Sequence, residues 1–580
     1  MDAHWSGTFG VPNLTRVGMQ STAISDRLRA PQRNTAQGKG NAQAAIDGAW
    51  WQRAIIYQIY PRSFQDSNDD GIGDLPGIER RLPYLKELGV DAIWLSPIFP
   101  SPQRDFGYDI SNYTDIDPTF GTLRDFDRLL TAAHEQGLKL LLDLVPNHTS
   151  DRHPWFRASR SSRSDPKRDW YIWHDPAPGG GPPNNWLSQF GGSAWEFDAT
   201  TGQYYYHGFL REQPDLNWRN PDVHHAIHDV MRFWLARGVD GFRVDVIWQL
   251  LKDQQFRNNP VNRDWRPGQP PSDQLIPLYT ADLPEVHDVI GELRRIVNEF
   301  DERVLIGEIY LPIEKLVAYY GRDLTGVHLP FNFALLSARW NARALATLVD
   351  EYEAALPAGG WPNWVLSNHD RPRVAARVGA RQARLAAMLL LTLRGTPTIY
   401  YGDEIGLSEV DLTPDQVRDP LEHNVPGLGI GRDGARTPMQ WDGGTHAGFS
   451  HCEPWLPLAP DHRAKNVANQ RHDETSIFNL YRRLIAARRA MPVLSVGTYR
   501  PVAAQGDLLL FLREHTGDRA LVALNLGDDA TTVDFGSDRF RGQILVSTLG
   551  DRDEEPVGGR LDLRAGEGLV ILLARDAVVP

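Results

Sequence analysis

The sequence has almost no cysteine and no long apolar run. Cys452 is the single cysteine among 580 residues, so no disulfide can form within the chain, and this favours a reducing, cytoplasmic location. No stretch approaches the roughly 18 consecutive apolar residues of a membrane-spanning helix. The longest apolar runs, at 386–393 and 569–574, have the length of core elements. Since the N-terminus also lacks the apolar segment of a secretory signal, we predict a cytoplasmic protein with no membrane partner.

Positive charge is also in deficit. Lys and Arg together number 61 against 74 Asp and Glu, which gives a formal net charge of −13. An acidic chain without a basic run is a poor ligand for a phosphate backbone, so nucleic acid is excluded as a main partner. The remaining composition, 41% hydrophobic and 23% charged, is that of a globular protein.

From Trp50 onward, short apolar stretches alternate with amphipathic helical segments. This alternation is typical of parallel strands joined by crossover helices, and eight such strands favour an α/β fold of the (β/α)₈ TIM-barrel type over an open sheet. The predicted strands are residues 55–60, 92–97, 139–145, 241–246, 304–309, 328–333, 364–367 and 396–400.

Two connections, 147–217 and 402–476, are too long for simple strand-to-helix loops, and loops of that length are usually functional or small domains. Both follow strand ends on the face where barrel active sites lie. After residue 491 the pattern changes to strands without helices. We therefore predict a disordered extension over 1–49, a barrel over 50–147 and 218–491, a loop-rich inserted domain over 148–217 after the third strand, and a C-terminal antiparallel, β-sandwich-like domain over 492–580.

Three acidic residues end three different predicted strands. Asp245, Glu308 and Asp370 each follow an apolar strand core, and Arg243 lies two residues before Asp245. Each acid alone could be a loop residue or a helix cap, but together they suit a retaining glycosidase, which uses one carboxylate as nucleophile and one protonated carboxyl as acid. Arg243 would keep Asp245 ionised, a drier site would keep Glu308 protonated, and Asp370 would bind ring hydroxyls.

The segments around these acids resemble the α-amylase family, glycoside hydrolase family 13, and in particular its exo-acting α-glucosidase and oligo-1,6-glucosidase branch. The matching segments are residues 56–64, 107–110, 143–148, 213–217, 395–404 and 435–441, together with the three acidic segments. In this order and spacing they are far more specific than any one of them alone.

The resemblance implies Asp245 as nucleophile, Glu308 as acid/base and Asp370 as stabiliser of the transition state. It also implies a glucose subsite, in which Asp105 and Arg436 hold the hydroxyl at the non-reducing end and make the enzyme exo-acting. The implied subsite residues are Asp105, Tyr108, His148, Arg243, His369 and Arg436.

Five of the candidate binding-site residues carry further interpretations. Tyr108 and Phe190 are candidate platforms for a sugar ring, although Phe190 could equally be core packing. Val246 would lie beside the next subsite, where valine in this branch often accompanies acceptance of α-1,6 bonds. His148 and His369 are expected to bind sugar hydroxyls rather than zinc, because no cysteine or third histidine lies at ligand spacing.

An acidic loop follows the first predicted strand. Residues 66–74 place side-chain oxygens at alternate positions with a glycine at the sixth, which matches the start of a calcium loop, and the family resemblance includes Ca²⁺ or Mg²⁺ there. We expect one structural Ca²⁺ (or Mg²⁺) and no organic cofactor; the alternative is an acidic glycine turn with no ion. The candidate ligands are Asp66, Asn68, Asp70, the carbonyl of Ile72 and Asp74.

The leading functional hypothesis is a retaining exo-α-glucosidase that acts on short oligosaccharides or disaccharides of the maltose or isomaltose type through a covalent glucosyl-enzyme, with transglucosylation. Three alternatives stay open. The same site could transfer glucose to a sugar or isomerise a disaccharide, as trehalose synthases do; it could cleave sucrose or trehalose; or the chain could be a non-enzymatic, transporter-associated member of the family. The presence of all three acids and the lack of a membrane span disfavour the last. The sequence does not fix the oligomeric state.

Overall fold

The computed structural model describes residues 48–536 and 539–579, so the extension predicted over 1–49 lies outside the described residues apart from its last two. Its first sheet has eight parallel strands, which we number β1 to β8 within the barrel. They are β1 (Ile56–Ile59), β2 (Ala92–Leu95), β3 (Lys139–Leu144), β4 (Gly241–Val244), β5 (Val304–Gly307), β6 (Leu329–Pro330), β7 (Asn363–Val365) and β8 (Thr396–Tyr400).

The sheet runs in the order β7-β8-β1-β2-β3-β4-β5-β6. A single parallel bridge between Asn332 and Trp364 joins its two ends, so the strands form a nearly closed barrel. The sixth strand is shorter than the six residues predicted, since only Leu329 and Pro330 pair with β5. Pro330 has no N–H to donate, which limits ladder formation at this position.

A helix follows each barrel strand. These are α1 (Leu75–Leu88), α2 (Leu123–Glu135), α3 (Pro221–Arg237), α4 (Val286–Val297), α5 (Ile313–Leu316), α6 (Ala342–Ala355), α7 (Val374–Thr392) and α8 (Ile477–Ala490). Side-chain caps fix several starts, for example Asn220 at α3 and Ser476 at α8, which accept N–H groups of the first turn. Shorter α-helices are Trp50–Arg53, Pro154–Ser161, Ala334–Ser337, Pro420–Asn424, Val467–His472 and Pro492–Ser495.

The connection between β3 and α3 forms a small antiparallel sheet of three strands, Trp173–His174, Trp195–Asp198 and Gln203–Tyr206. Its core is aromatic: Trp186, Trp195 and Tyr206 pack in a buried cluster of their own. Residues beyond this sheet return to the barrel, where Asp215 pairs with His148 in an isolated bridge. The insertion therefore lies against the end of β3.

The C-terminal region is an eight-stranded antiparallel sheet. Its strands are Thr498–Gln505, Leu508–His515, Asp518–Asn525, Thr531–Asp534, Arg541–Ser547, Pro556–Gly558, Arg560–Leu563 and Gly568–Leu573. The first of these strands lies at the sheet edge, where Pro501 is tolerated, and its register shifts beside that proline. The predicted fold class, a TIM barrel with an insertion after strand 3 and a C-terminal antiparallel β domain, is confirmed.

Within the part of the chain that the structure describes, no helix combines the length and the apolar character needed to cross a bilayer.

Candidate active site

Three predicted acids lie at the carboxyl ends of barrel strands. Asp245 directly follows β4 and Glu308 directly follows β5, and both are buried, at 6% and 3% exposure. The strand ladder holds their backbones: the Asp245 N–H donates to the Leu144 carbonyl at 2.8 Å, and the Glu308 N–H donates to the Val244 carbonyl at 2.9 Å. Asp370 lies five residues beyond β7 and keeps 24% of its side chain exposed. The barrel therefore gathers all three acids at one edge.

Arg243 joins the two buried acids. Its Nη1 donates to Asp245 Oδ1 at 2.8 Å, and its Nη2 lies 2.9 Å from Glu308 Oε2. Burial alone would lower the pKa of this guanidinium, but the surrounding carboxylates raise it well above its ordinary value. Arg243 is therefore permanently charged, and it holds the two carboxyl groups on either side of one cation.

The pKa of Asp245 is raised well above its usual range, first by burial and then by the charge of Glu308, although Arg243 lowers it. Burial also raises the pKa of Glu308, and the charge of Arg243 partly offsets this increase. Arg243 lowers the pKa of Asp245 as expected, but burial and the charge of Glu308 outweigh it. Two adjacent buried carboxyls that repel each other titrate as a pair and retain one proton between them.

Asp143 is a site residue that the sequence analysis missed. Its Oδ1 accepts a hydrogen bond from Arg243 at 2.9 Å, and its Oδ2 accepts from Trp94 and Tyr108, both at 3.2 Å. Burial raises the pKa of Asp143 to about 7. Its position within the segment 143–148, which carried the family resemblance, was the signal that could have identified it.

His369 and Tyr108 line the same pocket as hydrogen-bond partners. His369 Nδ1 lies 2.8 Å from the Gln58 amide nitrogen, and His369 Nε2 lies 2.6 Å from the Tyr108 hydroxyl and 3.2 Å from Asp370 Oδ2. The two rings stack at 5.4 Å. Burial lowers the pKa of His369 to about 3, so the imidazole is neutral.

Two arginines surround Asp370. Arg436 Nη2 donates to Asp370 Oδ1 at 2.9 Å, and Arg432 Nη1 donates to the same oxygen at 3.3 Å. Burial would raise the pKa of Asp370, but the neighbouring His369, Arg432 and Arg436 outweigh it and hold the pKa well below its usual range. Asp370 is therefore ionised under all ordinary conditions.

Arg432 also joins two further acids, Asp105 and Asp419. Its Nη2 donates to Asp105 Oδ1 and to Asp419 Oδ1, each at 2.7 Å. Its guanidinium also lies 5.2 Å from the centre of the Phe190 ring. Asp105 is thus paired with Arg432. The guanidinium of Arg436 binds the carbonyl of His369 and the carboxylate of Asp370. Sequence reasoning missed Arg432 and Asp419 because both lie in the irregular connection 402–476, where no periodicity marks a buried side chain.

The remaining predicted binding residues lie around this pocket. His148 Nε2 is 3.2 Å from the amide nitrogen of Gln213, which also donates to Asp105 Oδ2 at 3.1 Å. Phe190 is 5% exposed and presents its ring to Arg432, so in this structure it packs beneath that guanidinium. Val246 is 7% exposed, and its N–H donates to Glu308 Oε2 at 2.8 Å.

The predicted cation loop is ordered by its own hydrogen bonds. Asp66 accepts N–H groups from Asn68, Asp69 and Gly71 at 2.9 Å. Asp74 caps α1 by accepting the Gly77 N–H at 2.7 Å. Among residues 48–536 and 539–579, no three His, Cys, Asp or Glu side chains form a metal-binding group, but the proposed set relies on an amide and a carbonyl as well. Asn68 and Asp70 are exposed. Their side-chain oxygens accept hydrogen bonds from within the loop, Asn68 Oδ1 from the Asp70 N–H at 3.1 Å and Asp70 Oδ1 from the Ile72 N–H at 2.8 Å. Oxygen donors of this kind are those that Ca²⁺ prefers.

The matches to known proteins agree with this geometry. The model of the alpha amylase catalytic domain matches residues 58–497. The chain belongs to the alpha-amylase family. It is 44% identical over 526 residues to a probable alpha-glucosidase of Rhizobium meliloti (strain 1021), covering 87% of this chain and 95% of that protein.

Two further similarities lie in the same branch and fold. The chain is 40% identical over 532 residues to an oligo-1,6-glucosidase of Heyndrickxia coagulans, covering 85% of this chain and 95% of that protein. Its structure matches the crystal structure of the alpha-glucosyl transfer enzyme XgtA with a TM-score of 0.85 and 40% identity, covering 91% of this chain and all of that one. The predicted membership in the α-glucosidase and oligo-1,6-glucosidase branch is confirmed, and with it the prediction of a glycoside hydrolase.

Proposed function

We propose that the protein is a retaining, exo-acting α-glucosidase that releases α-glucose from the non-reducing end of short α-glucosides. The observation that carries this proposal is the contact of both Asp245 and Glu308 with the single guanidinium of Arg243, at 2.8 Å and 2.9 Å. A retaining glycosidase needs two carboxyl groups close enough to act on one sugar, one ionised and one protonated. A pair that retains one proton supplies both forms.

In the proposed reaction the two carboxyls exchange roles between two displacements. Asp245 attacks the anomeric carbon while Glu308 gives its proton to the departing glycosidic oxygen, which leaves a glucosyl ester on Asp245. Glu308, now ionised, then takes a proton from water as the water oxygen attacks the same carbon and the ester bond breaks. Asp370, permanently ionised beside Arg432 and Arg436, binds ring hydroxyls and stabilises positive charge on the ring.

Exo action is the part of the proposal that depends on Arg432. This side chain ties Asp105, from the connection after β2, to Asp419, from the connection after β8. The pocket is thereby closed behind the ionised carboxylates, so a single glucose would end there with its hydroxyls bound by Asp105 and Arg432. A maltooligosaccharide blocked at its non-reducing end is expected not to be cleaved, whereas efficient cleavage would reject the closed pocket.

The stereochemical outcome tests the mechanism. We expect ¹H NMR recorded within the first minutes of maltose or isomaltose hydrolysis to show α-glucose as the first new anomer from the non-reducing unit, because two inversions restore the configuration. A β-glucose signal that precedes mutarotation would mean a single displacement and would exclude the glucosyl-enzyme.

Transfer to a sugar is a second candidate activity of the same site, and the 40% identity to an alpha-glucosyl transfer enzyme supports it. Water and sugar hydroxyls compete for the same glucosyl-enzyme, so the two activities differ only in the acceptor. At high maltose concentration we expect trisaccharides alongside glucose. Glucose alone across the whole concentration range would remove transfer from the proposal.

The structural Ca²⁺ (or Mg²⁺) stays a proposal. The loop 66–74 supports it through its alternating oxygen donors, and its place between β1 and α1 suits a structural role, since none of the proposed catalytic acids belongs to it. The cytoplasmic location is likewise proposed, on the single cysteine.

A further inference from the structure

The residue directly after the proposed nucleophile has an unusual backbone. Val246 has φ 36° and ψ 43°, in the left-handed region. Branching at Cβ makes valine one of the least suited residues for this conformation. Among the described non-glycine residues with positive φ, the only other β-branched one is Thr516, which lies in an exposed hairpin turn. Strain of this kind persists where the surrounding structure imposes it, and it concentrates at functional sites.

The surroundings of Val246 show what imposes the conformation. The preceding residue, Asp245, is fixed by its backbone hydrogen bond to Leu144, and the Val246 carbonyl accepts the N–H of Gln249 at 2.8 Å. The Val246 side chain is buried within the main apolar core. The chain must therefore turn within one residue between a barrel strand and the short 3₁₀ helix Ile247–Gln249.

One backbone polar group of Val246, its N–H, faces the site. The Val246 N–H donates to Glu308 Oε2 at 2.8 Å, inside the protein. The same oxygen lies 2.9 Å from Arg243 Nη2 in an ion pair, so the Glu308 carboxyl is held by one backbone hydrogen bond and one neighbouring charge. The direction of this N–H is set by the peptide that joins it to Asp245, whose own N–H is held by the Leu144 carbonyl.

We propose that the Val246 N–H is a positioning group for Glu308, held in place by its peptide link to the strand-anchored Asp245 so that the acid/base carboxyl keeps the orientation needed for proton transfer. This inference rests on the proposed function, in which Glu308 is the acid/base. It assigns a task to the backbone of Val246 that is separate from any contact of its side chain with a substrate.

Two consequences distinguish this task from a structural one. An N–H donated to a carboxylate favours the ionised form, and this bond lowers the pKa of Glu308. Loss of the bond should therefore raise that pKa.

Proton donation by the acid also speeds departure of a poor leaving group such as a sugar, whereas it hardly affects departure of fluoride. The charged and titratable groups that face Glu308 are Arg243, Asp245, Asp143, Asp370 and Tyr310, and none of them is altered in the experiment.

The experiment replaces the Val246 amide with an ester by incorporating the α-hydroxy acid analogue of valine, which removes the N–H and keeps the side chain. We expect the alkaline limb of the kcat/KM profile for maltose to move up by about one pH unit and kcat/KM at the optimum to fall about 10-fold. Hydrolysis of α-glucosyl fluoride should change less than about 2-fold. The same ester at Thr516 is the control and should leave both substrates unaffected.

Val246→Gly separates the N–H from the side chain. Glycine accepts a left-handed backbone and retains the N–H, so this variant should keep the alkaline limb of the parent. The proposal is overturned if the ester changes neither the alkaline limb of the kcat/KM profile nor the ratio of maltose hydrolysis to α-glucosyl fluoride hydrolysis. It is also overturned if Val246→Gly shifts the alkaline limb as far as the ester does. A parent protein inactive on both substrates would instead refute the proposed function itself.

Discussion

The two ends of the pocket contain similar acids in opposite electrostatic situations. At the reactive end, Asp143, Asp245 and Glu308 share one cation, Arg243. At the binding end, Asp105, Asp370 and Asp419 are joined by Arg432, and Arg436 adds a second cation.

The reactive end has one cation and the binding end has two, and this difference determines what each end can do. At the reactive end the pKa values of Asp245 and Glu308 are raised by burial and only partly lowered by Arg243, so a proton is retained and can be moved. At the binding end burial also raises the pKa of Asp419, but Arg432 outweighs it and lowers the value to about 2. One end is thus suited to proton transfer, and the other to holding hydroxyl groups with fixed charges.

The largest predicted effect removes a carboxylate from the reactive end. Asp245→Asn and Glu308→Gln should each lower kcat for p-nitrophenyl α-glucoside by about 10⁴-fold or more, while the circular dichroism spectrum is retained. The unfolding temperature should be equal or higher, because each change relieves repulsion between buried acids. Full activity in either variant would contradict the assignment of roles.

The next effect concerns the single cation of the reactive end. Arg243→Gln leaves three buried carboxyls without compensation, so the free energy of unfolding should fall by about 3–5 kcal/mol, measured by urea denaturation. Arg418→Gln is a suitable control, since Arg418 is exposed and its guanidinium donates to the Asp415 carbonyl. Equal stability of the two variants would show that Arg243 does not balance the acids.

At the binding end, Arg432→Gln should lower kcat/KM for maltose about 10- to 100-fold, chiefly through KM, because the variant loses a charged contact to the glucose and the bridge between Asp105 and Asp419. Steady-state kinetics with Arg418→Gln as the matched control measure this. A loss confined to kcat would place Arg432 with the reactive end instead.

The proton shared by Asp245 and Glu308 predicts a bell-shaped pH dependence of kcat/KM, since activity is lost when both are protonated and when both are ionised. Asp143→Asn removes a neighbouring negative charge that raises the pKa of Asp245. The profile should therefore move to lower pH, by about one unit. A shift to higher pH would contradict the view that repulsion between the acids sets these values.

The smallest expected effect is metal removal. Chelation with EDTA should lower the unfolding temperature by about 2–4 °C, and added Ca²⁺ should restore it. Asp70→Asn should abolish the response, whereas Asp69→Asn, a neighbour outside the alternating donor set, should keep it. No response in the parent protein would leave the loop as a glycine turn without an ion.

Most of the fold followed from the sequence because strand and helix periodicities are local. A departure from the prediction was also local, since Pro330 shortens β6. The strand-end acids could be found for the same reason, since β4 and β5 each end on one of them.

What could not be predicted was pairing across long connections. Nothing local indicates that Arg432 contacts Asp105, which lies 327 residues earlier in the chain, and Arg436, only four residues away, looked equally suitable. The protonation of the reactive end was also inaccessible, because it depends on how deeply Asp143, Asp245 and Glu308 are buried together.

The central claim is that Asp245 and Glu308 act on one anomeric carbon. It is tested most directly by trapping the intermediate with a 5-fluoro-α-glucosyl fluoride, followed by peptic digestion and mass spectrometry of the labelled peptide. We predict a single fluoroglucosyl group on Asp245, in amounts that approach one per active site. A label on another residue, or turnover of the reagent to β-configured product without any labelled peptide, would contradict the account.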